Sequence, residues 1–225
     1  MKAQQYAQAG YGFVVDVDLE KLFDRVNHDI LMDRLAKRLA DKRVLRLIRR
    51  YLQAGILVHG VHSESFEGTP QGGPQSPLLA NVLLDGVDRE LERRGHKFVR
   101  YADDCNVYVR SQRAGGRVLQ ALRGCYAKLA LKVNESMTAV AQVWGRKFLG
   151  HCLYVTSKGE VKRAVAEQAM YKLRERIRQT TRRLKGRSLE QIAEELRAYV
   201  PNSHLGLNKV LSVSYFDSLG VPKFS

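Results

Sequence analysis

Cysteine is scarce in this chain of 225 residues: Cys105, Cys125 and Cys152 are all there is, and they lie far apart. No Cys-x-x-Cys pair or Cys/His ligand spacing occurs, so neither a disulfide scaffold nor a zinc site is indicated. Long apolar runs are missing as well. Ile30-Leu31-Met32 and Pro77-Leu78-Leu79-Ala80 are interrupted within a few residues, far short of a bilayer span, and Met1-Lys2-Ala3-Gln4-Gln5 lacks a signal-peptide core. A cytoplasmic protein with no membrane partner is therefore expected. Internal repeats and low-complexity tracts are absent. Acid is outnumbered, with 23 Asp and Glu against 38 Lys and Arg and a formal charge of +15, an excess that points to a polyanionic partner and favours nucleic acid. What is present in quantity is hydrophobic residues, at 44%, enough to bury the core of one large domain, with or without an appendage.

The acid that does occur is placed unusually. Asp103-Asp104 lies between the alternating runs Lys97-Phe98-Val99-Arg100 and Asn106-Val107-Tyr108-Val109, which predicts a β-hairpin with two carboxylates at its tip. Adjacent carboxylates repel, and a bound cation relieves the repulsion; hard divalent ions prefer such oxygens, and Mg²⁺ is commonly held by one or two carboxylates plus substrate phosphates. A solvated Asp-Asp turn is the plainer alternative. Gly12-Phe13-Val14-Val15-Asp16-Val17-Asp18 reads as a strand with Asp16 and Asp18 on one face. From His28 the period becomes helical, through Ile30, Leu31, Leu35 and Leu39, then Val44, Leu45, Ile48 and Leu52, with a break near Asp41-Lys42. A small hairpin is expected from about residue 56 to 67, then a Gly/Pro loop over residues 68 to 77, and a helix with Ser76 as N-cap and Pro77 at its first position. After the acidic hairpin come a helix around Val118 to Leu129, a strand at 138 to 141 and a hairpin arm at 146 to 153. This is the β-α-β-β-α-β order of a split, ferredoxin-like antiparallel sheet covered by helices, an α+β fold in which the first strand and the hairpin are neighbours. Asp18 and Asp103 can then converge. Beyond Ala164 a basic helix is expected to Leu184, followed by a shorter one opened by the capping box of Ser188 and Gln191.

Three segments taken together carry a resemblance. Asp16-Val17-Asp18-Leu19-Glu20-Lys21-Leu22-Phe23-Asp24, Gly68-Thr69-Pro70-Gln71-Gly72-Gly73-Pro74-Gln75-Ser76-Pro77 and Arg100-Tyr101-Ala102-Asp103-Asp104-Cys105 resemble the first three palm motifs of reverse transcriptases, above all those encoded by bacterial group II introns. Leu131-Lys132-Val133-Asn134-Glu135 and Phe148-Leu149-Gly150 are similar to the two motifs that follow. The resemblance implies a palm and partial thumb with RNA-directed DNA polymerase activity and maturase ancestry. In the family motif the metal-binding aspartate stands five residues before the aromatic, which selects Asp18 with Phe23, Asp16 being the runner-up. Asp18 and Asp103, assisted by Asp104, would hold two Mg²⁺ ions, with Mn²⁺ as substitute. Phe23 would exclude a ribose 2′-hydroxyl or, in the plainer reading, serve as a core aromatic. Gln71, Gly72 and Gly73 would lie against the nucleotide, or simply form a tight turn. Phe148, Leu149 and Gly150 would support the primer end. Arg174, Arg178 and Arg182, on the basic helix, would follow the phosphates of RNA template and DNA primer, although any single one of them also reads as a solubilising surface residue. The implied partners are template, primer, dNTP and group II intron RNA; oligomeric state is not legible.

The chain also departs from the family pattern. The segment ahead of Gly12 is too short for a fingers region, Met137 stands where the family usually has Lys, and 201–225 matches none of the family's thumb and maturase sequence. The expected organisation is a palm over 1–163, a partial helical thumb over 164–200 and an irregular tail over 201–225. A methionine cannot donate a proton to pyrophosphate, and general-acid help is typically worth roughly a hundredfold or more. Weak or no polymerisation by this chain alone is expected, because the triphosphate clamp that a fingers region supplies is not found ahead of Gly12. A noncatalytic RNA-binding remnant of a maturase is the rival reading, and a diversity-generating or CRISPR-associated reverse transcriptase a further one.

Overall fold

The computed structural model describes residues 2–54, 56–58, 61–63, 67–69 and 75–181. They divide into two compact units, one up to Val143 and one from Trp144. In the first unit, helix α1 (Lys2–Gln8) precedes strand β1 (Phe13–Val17), and a 3₁₀ turn (Leu22–Asp24) leads into α2 (His28–Ala36) and α3 (Lys42–Gln53). A short hairpin, β2 (Ile56–Val58) with β3 (Val61–Ser63), is followed by α4 (Ser76–Arg93), the hairpin β4 (Lys97–Tyr101) and β5 (Asp104–Val109), α5 (Gln112–Ala127) and β6 (Ala139–Gln142).

The main sheet runs β4-β5-β1-β6, with every neighbouring pair antiparallel. That is the strand order a β-α-β-β-α-β chain adopts when its first strand sits in the middle, and the expected split, ferredoxin-like sheet is what forms. Strand alternation decides its two faces. Val15, Val17, Cys105, Val107 and Val109 join the core with Leu83, Val87 and Leu91 of α4 and Val118, Leu122 and Tyr126 of α5. The opposite face carries Val14, Asp16, Asn106 and Tyr108, where α1 covers one end by packing Tyr6 against Tyr108, ring centroids 5.7 Å apart.

Local signals explain most boundaries. Asn27 and Asp41 cap α2 and α3 by accepting backbone N–H bonds from Ile30 (3.0 Å) and Arg43 (2.7 Å), and Ser111 does the same for α5 through Ala114 (3.2 Å). One assignment shifts. Ser76 is the first residue of α4 rather than its cap, buried at 2% exposure, and Gln75 takes the cap position without a side-chain bond. Pro77, free of any N–H, suits the first turn either way.

The second unit holds a three-stranded antiparallel sheet, β7 (Lys147–Phe148), β8 (His151–Val155) and β9 (Val161–Val165), followed by α6 (Glu167–Thr181). Ala169, Leu173, Ile177 and Thr180 form the buried stripe of α6, and Ala166, just ahead of it, is buried too. The expected helix opened by Ser188, the tail 201–225 and the last turn toward Leu184 lie outside the described residues. Among the described residues no helix is long and apolar enough to cross a membrane.

Candidate active site

Asp18 stands one residue past the end of β1. Val17 pairs with Cys105, so one more step of the same register sets Asp18 opposite Asp104, with Asp103 next to it in the turn. Facing residues of an antiparallel pair lie roughly 4.5–5.5 Å apart at Cα. Asp16, Asp18 and Asp104 fall on the sheet face away from the core, at the end that α1 does not cover; Asp103 is half-buried and Asp104 exposed.

Asp16 and Asp18 have different surroundings. Asp16 is within the strand, opposite buried Asn106, whose amide nitrogen, turned toward it, donates to Asp16 Oδ1 at 2.9 Å. Asp18 is held from the motif that follows α5. Asn134 Nδ2 donates to Asp18 Oδ2 (2.9 Å), the Asn134 amide donates to the Asp18 carbonyl (2.9 Å), and the Asp18 amide donates to Thr138 Oγ1 (3.2 Å). Ser136 Oγ donates to Asn134 Oδ1 at 2.7 Å, which fixes the amide so that its nitrogen faces the carboxylate.

The turn itself is strained. Tyr101 pairs with Asp104, leaving Ala102 and Asp103 as a two-residue loop, and Ala102 takes φ +55°. A positive φ at the first loop position suits the mirror-image turns that match strand twist, but glycine is the usual occupant, and an L-residue there costs roughly 1–2 kcal/mol. Behind the turn, Arg100 donates from Nη1 to the Ala102 carbonyl (2.9 Å) and to Asn81 Oδ1 (2.8 Å), and from Nε to Asp88 (2.8 and 3.1 Å). Its Nη2 also bonds Asp88. The Asp88 carboxylate beside it raises the arginine's pKa further. Next to this pair, burial pushes the Cys105 thiol up to about 12 and holds the Tyr126 hydroxyl well above the usual phenol range.

A second junction ties the first motif to the second. Thr69 donates its amide to the Phe23 carbonyl (2.6 Å) and Gly68 to that of Val26 (2.8 Å), while His28 Nε2 donates to the Gly68 carbonyl (2.7 Å). Lys21, at φ 46° and ψ 52°, turns the chain into the 3₁₀ segment that carries Phe23, a half-buried ring packed against the core. Gln71, Gly72 and Gly73 lie outside the described residues.

In the second unit, Leu149 and Gly150 form the two-residue turn between β7 and β8, both at positive φ (50° and 77°), the signature of a type I′ turn. Arg174 and Arg178 are exposed on α6, on the side away from its buried stripe; Arg182 lies outside the described residues. Met137 is exposed, at 63%. Arg100, Asn81, Asp88, His28 and the amide of Asn134 are the site residues to which the sequence assigned no role. Arg100 left a readable signal, because period-two alternation sets it on the same side as Phe98, toward the core.

Among the described residues no three His, Cys, Asp or Glu side chains group closely enough to hold a metal by themselves, the trio of Asp18, Asp103 and Asp104 included. Magnesium does not need such a cage. It takes one or two carboxylates and completes its shell with water and phosphate, so the donor chemistry at this sheet end fits it.

A β-α-β-β-α-β sheet with acid at the open end of its central strands defines a polymerase palm. The reverse transcriptase (RNA-dependent DNA polymerase) family is matched over residues 2–153, and the chain belongs to it. Curated relatives include protein YkfC of Escherichia coli K12, 29% identical over 177 residues (63% of this chain, 46% of that protein), and the group II intron-encoded protein LtrA of Lactococcus lactis, 34% identical over 91 residues (40% of this chain, 15% of that protein). The chain spans less than half the length of either. Among solved structures, apo telomerase from Candida tropicalis shares the fold at a TM-score of 0.56 and 14% identity, covering 99% of this chain and 47% of that one. Telomerase from Candida albicans, solved with a fragment of telomeric RNA, gives a TM-score of 0.55 at 14% identity, covering 97% and 43%. Members of this family generally work with divalent metal ions.

Proposed function

We propose that this chain carries the nucleotidyl-transfer site of an RNA-directed DNA polymerase of the group II intron type, adding dNTPs to a DNA primer on an RNA template. The observation that carries the proposal is the register that brings Asp18, past the end of β1, into line with Asp104 on the open sheet face, with Asp103 next to it in the turn. Asp18 and Asp103, with Asp104 beside them, would hold two Mg²⁺ ions. Bound there, the ions would supply the charge that activates the primer 3′-hydroxyl and neutralises the triphosphate and departing pyrophosphate.

The chain's own groups do the positioning. Asn134 aims the Asp18 carboxylate, and the junction of Phe23 with Gly68 and Thr69 starts the nucleotide loop beside the ring that would meet the incoming sugar. Phe23 would then select against a 2′-hydroxyl, with Gln71 and Gly72 on the nucleotide's other side. Phe148, Leu149 and Gly150 would support the primer, and Arg174, Arg178 and Arg182 would contact phosphates in a salt-dependent manner.

Calorimetric titration with Mn²⁺ tests the metal site. Wild type binds, and Asp103→Ala loses at least tenfold in affinity; equal affinity in the two rejects the assignment. Extension of oligo(dT) on poly(rA), abolished by Asp103→Ala, tests the reaction. Tight RNA binding with no extension would instead assign the noncatalytic maturase reading.

A further inference from the structure

We infer that Arg100 is a positioning residue that clamps the metal-binding turn to helix α4. The inference rests on the metal site proposed above and concerns a residue that does not itself face the substrate. Arg100 pairs with Cys105 across the hairpin and is thus directed toward the core side of the sheet, whereas Asp104 is on the other face. Its side chain is only 11% exposed, and Asp88 is 23% exposed. A guanidinium so enclosed needs a carboxylate, and the fork of Nε and Nη2 takes Asp88 in two-pronged fashion. That leaves Nη1, which divides between Asn81 Oδ1 (2.8 Å) and the Ala102 carbonyl (2.9 Å).

The division is the functional point. Ala102 is at φ +55°, a conformation an alanine keeps only where the surroundings over-determine it. The bond from Arg100 reaches the carbonyl of that strained residue, which is the peptide joining it to Asp103. Asp88 and Asn81 both belong to α4, one of the helices that forms the core, so the turn is tied to a packed core helix. Released from the clamp, the turn relaxes toward negative φ at Ala102 and the Asp103 carboxylate swings with it.

Positioning and charge predict different results. Arg100 and Asp88 cancel, so an account based on charge alone predicts no change in cation affinity when both are removed together, and none when Arg100 becomes Lys. Positioning predicts a loss in each case, because an ammonium cannot reproduce the planar fork that serves Asp88 and Ala102 at once. Groups that orient metal ligands from behind typically cost 10- to 100-fold in affinity when lost.

The test is Mn²⁺ titration of wild type, Asp103→Ala, Arg100→Lys and the double variant Arg100→Met/Asp88→Leu, each checked for a cooperative thermal transition. In parallel, backbone hydrogen exchange is followed in the peptide spanning residues 98–106. The expected result is at least a tenfold loss of Mn²⁺ affinity in Arg100→Lys and in the double variant, with exchange at the turn accelerated at least tenfold. Wild-type affinity in Arg100→Lys overturns the inference even if Asp103→Ala abolishes binding. Should Asp103→Ala bind as wild type does, the metal-site reading fails instead. Exchange then decides the clamp alone: acceleration keeps it as the device that fixes the turn, and an unchanged rate removes it.

Discussion

Replacing Gly68 by alanine should be among the most damaging single-methyl additions to this protein. Gly68 is at φ +88°, and a Cβ built there lies 2.9 Å from the Asp24 carbonyl oxygen, 3.0 Å from that of Phe23 and 3.1 Å from the Asp24 carbonyl carbon. All three are backbone atoms and cannot rotate away. The Phe23 carbonyl is further fixed by the Thr69 amide at 2.6 Å, and Gly68 itself by its bonds to Val26 (2.8 Å) and His28 (2.7 Å). Left-handed backbone costs an L-residue about 1–2 kcal/mol, and overpacking against atoms that do not yield adds about 1–3 kcal/mol. Reduced entropy of the unfolded chain returns about 0.4–1 kcal/mol. The net expectation is a destabilisation of about 2–4 kcal/mol, or a melting point lowered by roughly 5–15 °C for a chain of this size. Urea unfolding followed by circular dichroism measures it. A loss under about 0.5 kcal/mol would show that the first and second motifs are not locked through Gly68.

Within α5, Gly115→Ala should cost about 1–3 kcal/mol in the same urea assay, because the new methyl would meet Val140 Cγ1 at 2.3 Å, while Gly116→Ala, with nothing within 4 Å, should be neutral or stabilising. Asn134→Ala removes the amide that donates to Asp18 Oδ2 at 2.9 Å and should raise the Mn²⁺ dissociation constant at least tenfold by calorimetry, with little change in melting temperature. Ala102→Gly relieves the positive φ and should raise stability by up to about 1 kcal/mol, yet weaken Mn²⁺ binding, because the turn gains alternatives to the one geometry that presents Asp103. Burial pushes the Cys105 thiol from 9.0 up to about 12, so alkylation at pH 8 should modify half-buried Cys125 and Cys152 first and reach Cys105 only on unfolding. Since the folded state binds that proton more tightly, the associated stability is present below pH 9.0 and drains away as pH rises toward about 12, which alkaline melts should record.

The strands and helices of the first unit were legible because burial imposes period. Val15 and Val17 alternate with Asp16 and Asp18, and Leu79, Leu83, Val87 and Leu91 recur at helical spacing, so element type and then sheet order followed. Helix α1 was not legible. Its seven residues are mostly polar, and it is held by two small buried alanines, Ala3 and Ala7, and by the ring contacts of Tyr6 with Tyr11 and Tyr108. Strand β9 escaped for a similar reason, since only Val161 among its five residues is fully buried and no alternation stands out. The acidic turn could be found from sequence because two adjacent carboxylates between alternating runs are a local signal. The groups that hold it could not. Asn134 reaches Asp18 across 116 positions, and Arg100 finds Asp88 on a separate helix. Nothing in the periodicity of either segment encodes such a pairing.

Part of the backbone strain falls in the segments of the proposed site. Among the described residues four that are not glycine take positive φ: Lys21, Ala102, Ala130 and Leu149. Lys21 lies inside the first palm motif and places Phe23, and Ala102 precedes the two turn aspartates; Ala130 instead closes α5 in a Schellman turn, its amide donating to the Ala127 carbonyl and that of Leu131 to the Tyr126 carbonyl, and Leu149 serves the turn between β7 and β8. Each conformation costs on the order of 1–2 kcal/mol, and a glycine would remove most of that cost. At Lys21 and Ala102 the cost falls in the two first-unit segments that would carry the aromatic and the carboxylates, as expected of a site selected for geometry over stability. Asp16 and Asp18 differ in setting: each carboxylate accepts from an Asn amide at 2.9 Å, but Asp16 lies within β1, whereas Asp18 stands past the strand end, is followed within three residues by left-handed Lys21, and is met by an Asn134 amide that Ser136 holds in turn.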